Sequence, residues 1–147
     1  MLPMRRNQRF GTGLTTLLFT AVLTATPSDI PLINAVKEGN SPLISVLLRD
    51  GENPNAVSTD GTSALHWAAY RNDSAAVELL LEAGATVGVT NRYGVTPLSL
   101  AAARAYSGIV RQLLEAGADP KTALPRGETV LMSAARAGSV DTGKTVI

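Results

Sequence analysis

The 147-residue chain has no cysteine, a single histidine and few aromatic residues, and each shortage excludes a class of protein. Without cysteine there is no disulfide, no thiolate nucleophile and no cysteine zinc ligand. One histidine cannot supply a two-histidine metal motif. Aromatic residues make up 4% of the chain against 45% for all hydrophobic residues, so small and aliphatic side chains must build the core. That composition favours closely packed helices.

The chain also lacks a strong excess of either charge. Its formal net charge is +1, from 13 basic and 12 acidic residues. Three of the 13 basic residues lie near the N-terminus, namely Arg5, Arg6 and Arg9. The rest of the chain therefore has ten basic and 12 acidic residues. We therefore expect no nucleic-acid partner.

The first 25 residues have the three parts of a bacterial-type secretory signal peptide. Residues 4–9 are positively charged, residues 14–23 are mostly apolar, and residues 23–25 offer a small-residue cleavage site. We predict a signal peptide over residues 1–25 and an exported protein, either periplasmic or secreted. The alternative is an uncleaved membrane anchor, because no charge occurs between Arg9 and Asp29.

The rest of the chain repeats itself with a period of 33 residues, the difference between Gly61 and Gly94. Periods of this length indicate stacked repeats of one supersecondary unit. The matching columns are Gly61, Gly94 and Gly127; Leu32, Leu65, Leu98 and Leu131; Ala35, Ala68, Ala101 and Ala134; Leu47, Leu80, Leu113 and Val146; Leu48, Leu81, Leu114 and Ile147; and Gly51, Gly84 and Gly117.

One period predicts two short helices and a turn. The first helix follows an Asp60-Gly61 turn, and Ser63 can cap its free amides. In the second helix, residues 74–83, apolar residues recur at helical spacing and form one face. Gly84 ends this helix, because glycine accepts the left-handed backbone of a helix C-terminus.

These motifs resemble the ankyrin repeat, with its turn glycine, Thr-Pro-Leu-His, paired alanines, Leu-Leu and Gly-Ala-Asp. Residues 60–69 read Asp-Gly-Thr-Ser-Ala-Leu-His-Trp-Ala-Ala, with Ser-Ala in place of Thr-Pro. Tyr-Gly-Val-Thr-Pro-Leu at 93–98 and Leu-Leu-Glu-Ala-Gly-Ala-Asp-Pro at 113–120 match more closely. The resemblance runs from about residue 29 to the end. It implies an all-α solenoid of stacked helix-turn-helix units with protruding β-turn loops.

We divide the solenoid into a capping repeat at 26–59, repeats at 60–92 and 93–125, and a partial repeat at 126–147. The first unit lacks the turn glycine, as a capping repeat can. The final unit has Gly143 in a valine column and stops before a capping glycine, so we expect a truncated array. The left-handed ends of the first helices are predicted at Gly39, Asn72, Ala105 and Gly138, and alanine carries a steric penalty there.

The resemblance implies a protein–protein interaction module or scaffold, with the partner in the groove formed by the first helices and turn tips. Arginine and tyrosine predominate at the free positions, which suits a partner with an acidic surface. The alternative for these arginines is a solvated surface that keeps the repeats soluble. The candidate partner-binding residues are Thr59, Asp60, Thr62, Tyr70, Arg71, Arg92, Tyr93, Val95, Arg104, Arg126, Glu128 and Arg136.

We expect no enzyme activity, catalytic residue, cofactor, metal or small-molecule substrate. The alternative function is a regulatory or immunity-type subunit that masks a single enzyme or toxin. Residues 138–145 match the P-loop pattern, but residues 131–137 before them align with a first helix and not with the strand that a P-loop follows, so no nucleotide site is expected. The resemblance implies that His66 hydrogen-bonds between repeats. We expect Trp67 to be an inter-repeat core contact, because Leu100 occupies the same column.

Overall fold

The computed structural model describes residues 30–122 and 127–136, and these ranges contain helices and turns but no β-strand. The predicted all-α repeat solenoid is confirmed. The helices are α1 (Pro31–Glu38), α2 (Ser41–Arg49), α3 (Ala64–Tyr70), α4 (Ser74–Glu82), α5 (Pro97–Ala103), α6 (Ser107–Glu115) and α7 (Val130–Arg136).

The helices form two layers that run along the stack. The first helices of the units, α1, α3, α5 and α7, pack on one another in that order. The second helices α2, α4 and α6 do the same, and each packs on the first helix of its own unit. No helix in the described ranges is long and apolar enough to cross a membrane. The predicted signal peptide and the P-loop pattern both lie outside the described residues.

Side-chain caps mark where several of the helices begin. Ser63 accepts a hydrogen bond from the His66 amide, and Thr96 accepts one from the Ser99 amide. Each of these pairs is a capping box, in which the second side chain bonds back to the amide of the first residue. Asp73 caps α4 by accepting from the Ala76 amide. The cap predicted at Ser63 is therefore confirmed.

The first helices end in a left-handed residue, as the repeat columns predict. The φ angles are +73° at Gly39, +59° at Asn72 and +61° at Ala105. Glycine adopts this conformation freely, whereas alanine meets a clash between its Cβ and the following carbonyl. Ala105 is therefore a point of backbone strain between α5 and α6. Gly138, the fourth predicted position, lies outside the described residues.

The core is a single cluster of aliphatic side chains between the two helix layers. Leu65 and Leu98 lie on first helices, Leu80 and Leu113 lie on second helices, and all four are buried. Leu131 occupies the same column as Leu65 and Leu98 but is 38% exposed on α7. Since each unit buries its apolar face only against its neighbours, these leucines hold the stack together.

We expect Leu65→Ala or Leu98→Ala to lower the free energy of unfolding by about 2 to 5 kcal/mol, because each change leaves a cavity in the core. Urea unfolding followed by circular dichroism measures this loss. Leu131→Ala is the matched control and should cost clearly less, since its side chain is partly solvated. Equal losses at Leu98 and Leu131 would contradict the assignment of the core.

Ala105→Gly should stabilise the protein. An alanine in the left-handed region costs about 1 to 2 kcal/mol, and the greater chain entropy of glycine offsets only part of this cost. Thermal unfolding should show a higher midpoint for Ala105→Gly. The control Ala103→Gly, at the exposed end of α5, should lower the midpoint instead, because glycine weakens a helix. A lower midpoint in both variants would show that Ala105 is not strained.

Candidate functional site

One face of the stack combines exposed side chains with tightly bonded loops, and we call it the groove face. It consists of the exposed sides of α1, α3 and α5 together with the loops at residues 57–63 and 90–96. The second helices lie on the other side of the core and take no part in this face.

Asp60 organises the first of these loops. Its Oδ1 accepts hydrogen bonds from the Ser58 hydroxyl at 2.6 Å and the Thr62 amide at 3.0 Å. Its Oδ2 accepts one from the Thr62 hydroxyl at 2.8 Å. These bonds, led by that of Ser58, lower the pKa of Asp60 from 3.8 to about 2. The carboxylate is therefore ionised at neutral pH, and its charge serves to fix the loop.

Asn91 does the same for the second loop. Its Oδ1 accepts hydrogen bonds from the amides of Tyr93 at 3.0 Å and Val95 at 3.1 Å. Its Nδ2 also donates to the Thr62 hydroxyl at 3.4 Å, across to the preceding unit. The loop is thus closed internally and attached to its neighbour.

Arg92 strengthens the connection between the two loops. Its amide donates to the Asp60 carbonyl at 2.9 Å, and its guanidinium donates to the Thr59 carbonyl at 2.9 Å. Since Arg92 is exposed, these bonds position the guanidinium at the surface without burying it. The turn tips therefore behave as one preformed edge.

His66 is buried beneath this edge and connects two units. Its Nδ1 accepts from the Ser63 amide at 3.1 Å, and its Nε2 lies 2.9 Å from the Val95 carbonyl oxygen. A carbonyl can only accept, so the proton is on Nε2 and the ring is neutral. Burial lowers the pKa of His66 below its usual 6.5. The inter-repeat bond implied by the ankyrin resemblance is confirmed.

A cavity of about 310 Å³ opens on the groove face between α3 and α5. Its hydrophobic walls are Trp67, Tyr70 and Leu100, and its polar walls are Asp60, Thr62, His66 and Asn91. Trp67 does pack against the core, as expected, but it is only partly buried and also forms a wall of this cavity. Its indole Nε1 is buried without a hydrogen-bond partner in the described part of the chain. The expected core contact of Trp67 is therefore present, and its place in the cavity wall is a second role that the sequence did not indicate.

Two cations rest on the aromatic side chains of this face. Lys37 Nζ lies 4.7 Å from the centroid of the Trp67 ring, and Arg104 Cζ lies 3.9 Å from that of Tyr70. The two rings meet edge to face, with centroids 5.9 Å apart. The Tyr106 phenol, by hydrogen bonding, is the main cause of a raised pKa at Arg104. Ring contact positions both cations without neutralising them.

Carboxylates do not neutralise these cations either. Within residues 30–122 and 127–136 the one ion pair joins Arg49 to Asp50 at 4.0 Å, at the C-terminal end of α2 and away from the groove face. Among the same residues, no cluster of histidine, aspartate and glutamate side chains could hold a metal ion. The face therefore presents net positive charge beside an apolar cavity.

The predicted partner-binding residues divide by exposure. Thr62 differs from expectation, because it is buried and its hydroxyl bonds to Asp60, which leaves little of it for a partner. Arg126 and the side chain of Arg136 lie outside the described part of the chain. Asp60, Val95 and Glu128 are half-buried. The exposed ones are Thr59, Tyr70, Arg71, Arg92, Tyr93 and Arg104.

Sequence reasoning missed four residues of this face: Lys37, Trp67, Asn91 and Leu100. Lys37 could have been found, because it shares a repeat column with Tyr70, which was selected. Nothing in the columns marks the cavity, since Trp67 and Leu100 share one column yet differ in size and exposed chemistry.

A family model described as ankyrin repeats matches residues 32–123 in three copies. The chain belongs to the ankyrin-repeat family, whose repeats are generally protein–protein interaction modules and typically not enzymes. A search of the curated proteins found no match.

The His66 pKa predicts how stability depends on pH. Because its pKa is lower in the folded state, the unfolded state takes up a proton first as the pH falls. The free energy of unfolding should therefore decrease as the pH falls below about 6.5 and level off below the folded pKa. His66→Gln should remove this dependence, as urea unfolding at several pH values would show.

Asp60→Asn is the control for this experiment. The stabilisation from Asp60 is present above pH 3.8 and is lost as the pH falls towards about 2. This pH range lies below the range in which His66 changes the stability. Asp60→Asn should therefore keep the dependence that begins near pH 6.5 and extend it to lower pH, because the Asp60 charge raises the pKa of His66. An unchanged slope in His66→Gln would assign the effect to another group.

Proposed function

We propose that this protein binds a partner protein through the groove face, and that it serves as an interaction module without catalytic activity. The observation that carries the proposal is a set of positioned cations and aromatic rings that no carboxylate of the described residues neutralises. Arginine and tyrosine are enriched among residues that dominate binding energies. The signal-like residues 1–25 support a partner outside the cytoplasm.

The rigidity of the face supports binding. Association costs free energy for each loop and side chain that must be ordered. Here Asp60, Asn91 and Arg92 already fix the loops by hydrogen bonds, and ring contacts already hold Lys37 and Arg104. A partner would therefore meet a surface close to its bound conformation.

The charge of the face suggests the chemistry of the partner. Lys37, Arg71, Arg92 and Arg104 are exposed there, while the Asp60 carboxylate is occupied by its own loop. Glu38 adds one exposed carboxylate at the end of α1. The balance is positive, so an acidic protein surface complements it.

The combined variant Arg71→Ala, Tyr93→Ala and Arg104→Ala tests the proposal. The immobilised full chain should capture partner proteins from an extract of the source cells, and the variant should lose them. Each exposed side chain should change stability by only about 0.5 kcal/mol, so the melting temperature should stay close to that of the parent. Quantitative mass spectrometry of the captured proteins gives the readout.

The charge-matched control is Arg49→Ala with Arg111→Ala, which removes two exposed arginines from second helices. It should capture the same proteins as the parent. If the groove-face variant also captures them unchanged, the groove face is not the binding surface. The exposed sides of α2, α4 and α6 would then be the place to search.

A further inference from the structure

The cavity between α3 and α5 offers a ligand mainly apolar surface, although four of its lining residues are polar. Asp60 and Thr62 bond to each other, His66 bonds to Ser63 and Val95, and Asn91 bonds within its own loop. Since these polar groups already have partners, the side chains left for contact are Trp67, Tyr70 and Leu100. Such a cavity contacts its occupant mainly through apolar surface, although the Trp67 Nε1 has no hydrogen-bond partner among the described residues.

Two cations flank this cavity along the direction of the stack. Lys37 belongs to the first unit and rests on Trp67, whereas Arg104 belongs to the third and rests on Tyr70. Both rings are cavity walls, so each charge is held at the rim of the apolar site. Neither cation forms an ion pair with a described residue.

The spacing of these groups sets the length of a ligand that could use all of them. Because Lys37 and Arg104 rest on two rings that touch each other, Lys37 Nζ and Arg104 Cζ lie no more than about 14.5 Å apart. An extended chain covers that span with about four residues. A short segment could place one side chain in the cavity and a carboxylate near each cation.

We propose that the cavity anchors one apolar side chain of an extended acidic segment of the partner, whose flanking carboxylates contact Lys37 and Arg104. This proposal rests on the function proposed above and names the part of the partner that is recognised. A small molecule is disfavoured, because about 310 Å³ is near the lower end for such pockets and the flanking cations would lie outside it.

A peptide library tests the proposal without knowledge of the natural partner. The probe is a library of random nine-residue peptides displayed on phage and selected on the full-length protein. We expect enrichment of peptides with a single large apolar residue and acidic residues on both sides of it. Enrichment of apolar peptides without acidic residues, or no enrichment at all, would overturn the proposal.

An enriched peptide, labelled with fluorescein, then serves as the ligand for affinity measurements by anisotropy. Leu100→Trp places in α5 the residue found in the same column of α3, and it should fill the cavity and weaken binding about tenfold or more. The matched control is Leu114→Trp on α6, which substitutes another partly buried leucine of the same unit. It should leave the affinity within about twofold.

A second variant keeps the test valid if Leu100→Trp lowers the melting temperature. Tyr70→Ala removes an exposed wall of the cavity and should also weaken binding about tenfold. Trp67 gives an independent readout, because it is the only tryptophan and its fluorescence should change when the cavity is occupied. An enriched peptide whose affinity survives both Leu100→Trp and Tyr70→Ala would overturn the cavity assignment.

The charges are tested by combining Lys37→Ala with Arg104→Ala. This variant should bind more weakly and should lose much of the salt dependence of the parent, unlike the control Arg49→Ala with Arg111→Ala. If natural partners depend on Arg71, Tyr93 and Arg104 but not on Leu100 or Tyr70, the proposed function stands and the anchor proposal is wrong. If neither set matters, both proposals are wrong.

Discussion

The burial of aliphatic side chains between neighbouring units is the interaction on which everything else in this protein depends. A single helix pair such as α3 and α4 has too little apolar contact to remain folded alone, so Leu65 and Leu80 are stable only because adjacent units cover them. Stacking also sets the distance between successive loops. The bonds from Arg92 to the preceding loop and from His66 to Val95 require that spacing.

The groove face is possible because the residues that stabilise the stack are different from those that face solvent. Because buried leucines and alanines stabilise the stack, the first helices can carry Tyr70 and Lys37 at exposed positions and Trp67 at the edge of the core. The hydrogen bonds of Asp60 and Asn91 then order the loops and leave the solvent-facing side chains available for contact. Shape and charge at the surface can change while the scaffold beneath remains constant.

The scaffold could be predicted from the sequence because the same sequence pattern occurs in several units. The leucine columns, the Ser63 cap and the left-handed ends at Asn72 and Ala105 are local features that recur in more than one unit. The cavity was not predictable in the same way. The cavity depends on how the side chains of Trp67 and Leu100 are oriented relative to Lys37 and Tyr70. A repeat column gives the residue type at each position but not the direction of its side chain. Thr62 shows the same limit, since only the fold reveals that Asp60 binds its hydroxyl.

The strained backbone at Ala105 has a consequence for the order in which the protein opens. In a stack where each unit interacts only with its neighbours, local opening starts where one unit is least stable. The strain at Ala105 lowers the stability of the segment between α5 and α6, so amide hydrogens there should exchange with solvent faster than they would without it. Leu100 and Arg104 belong to the same unit, so a ligand that contacts them would slow this exchange. Ligand binding on the groove face and local opening of the third unit are then thermodynamically linked, so a measurement of either one reports on the other.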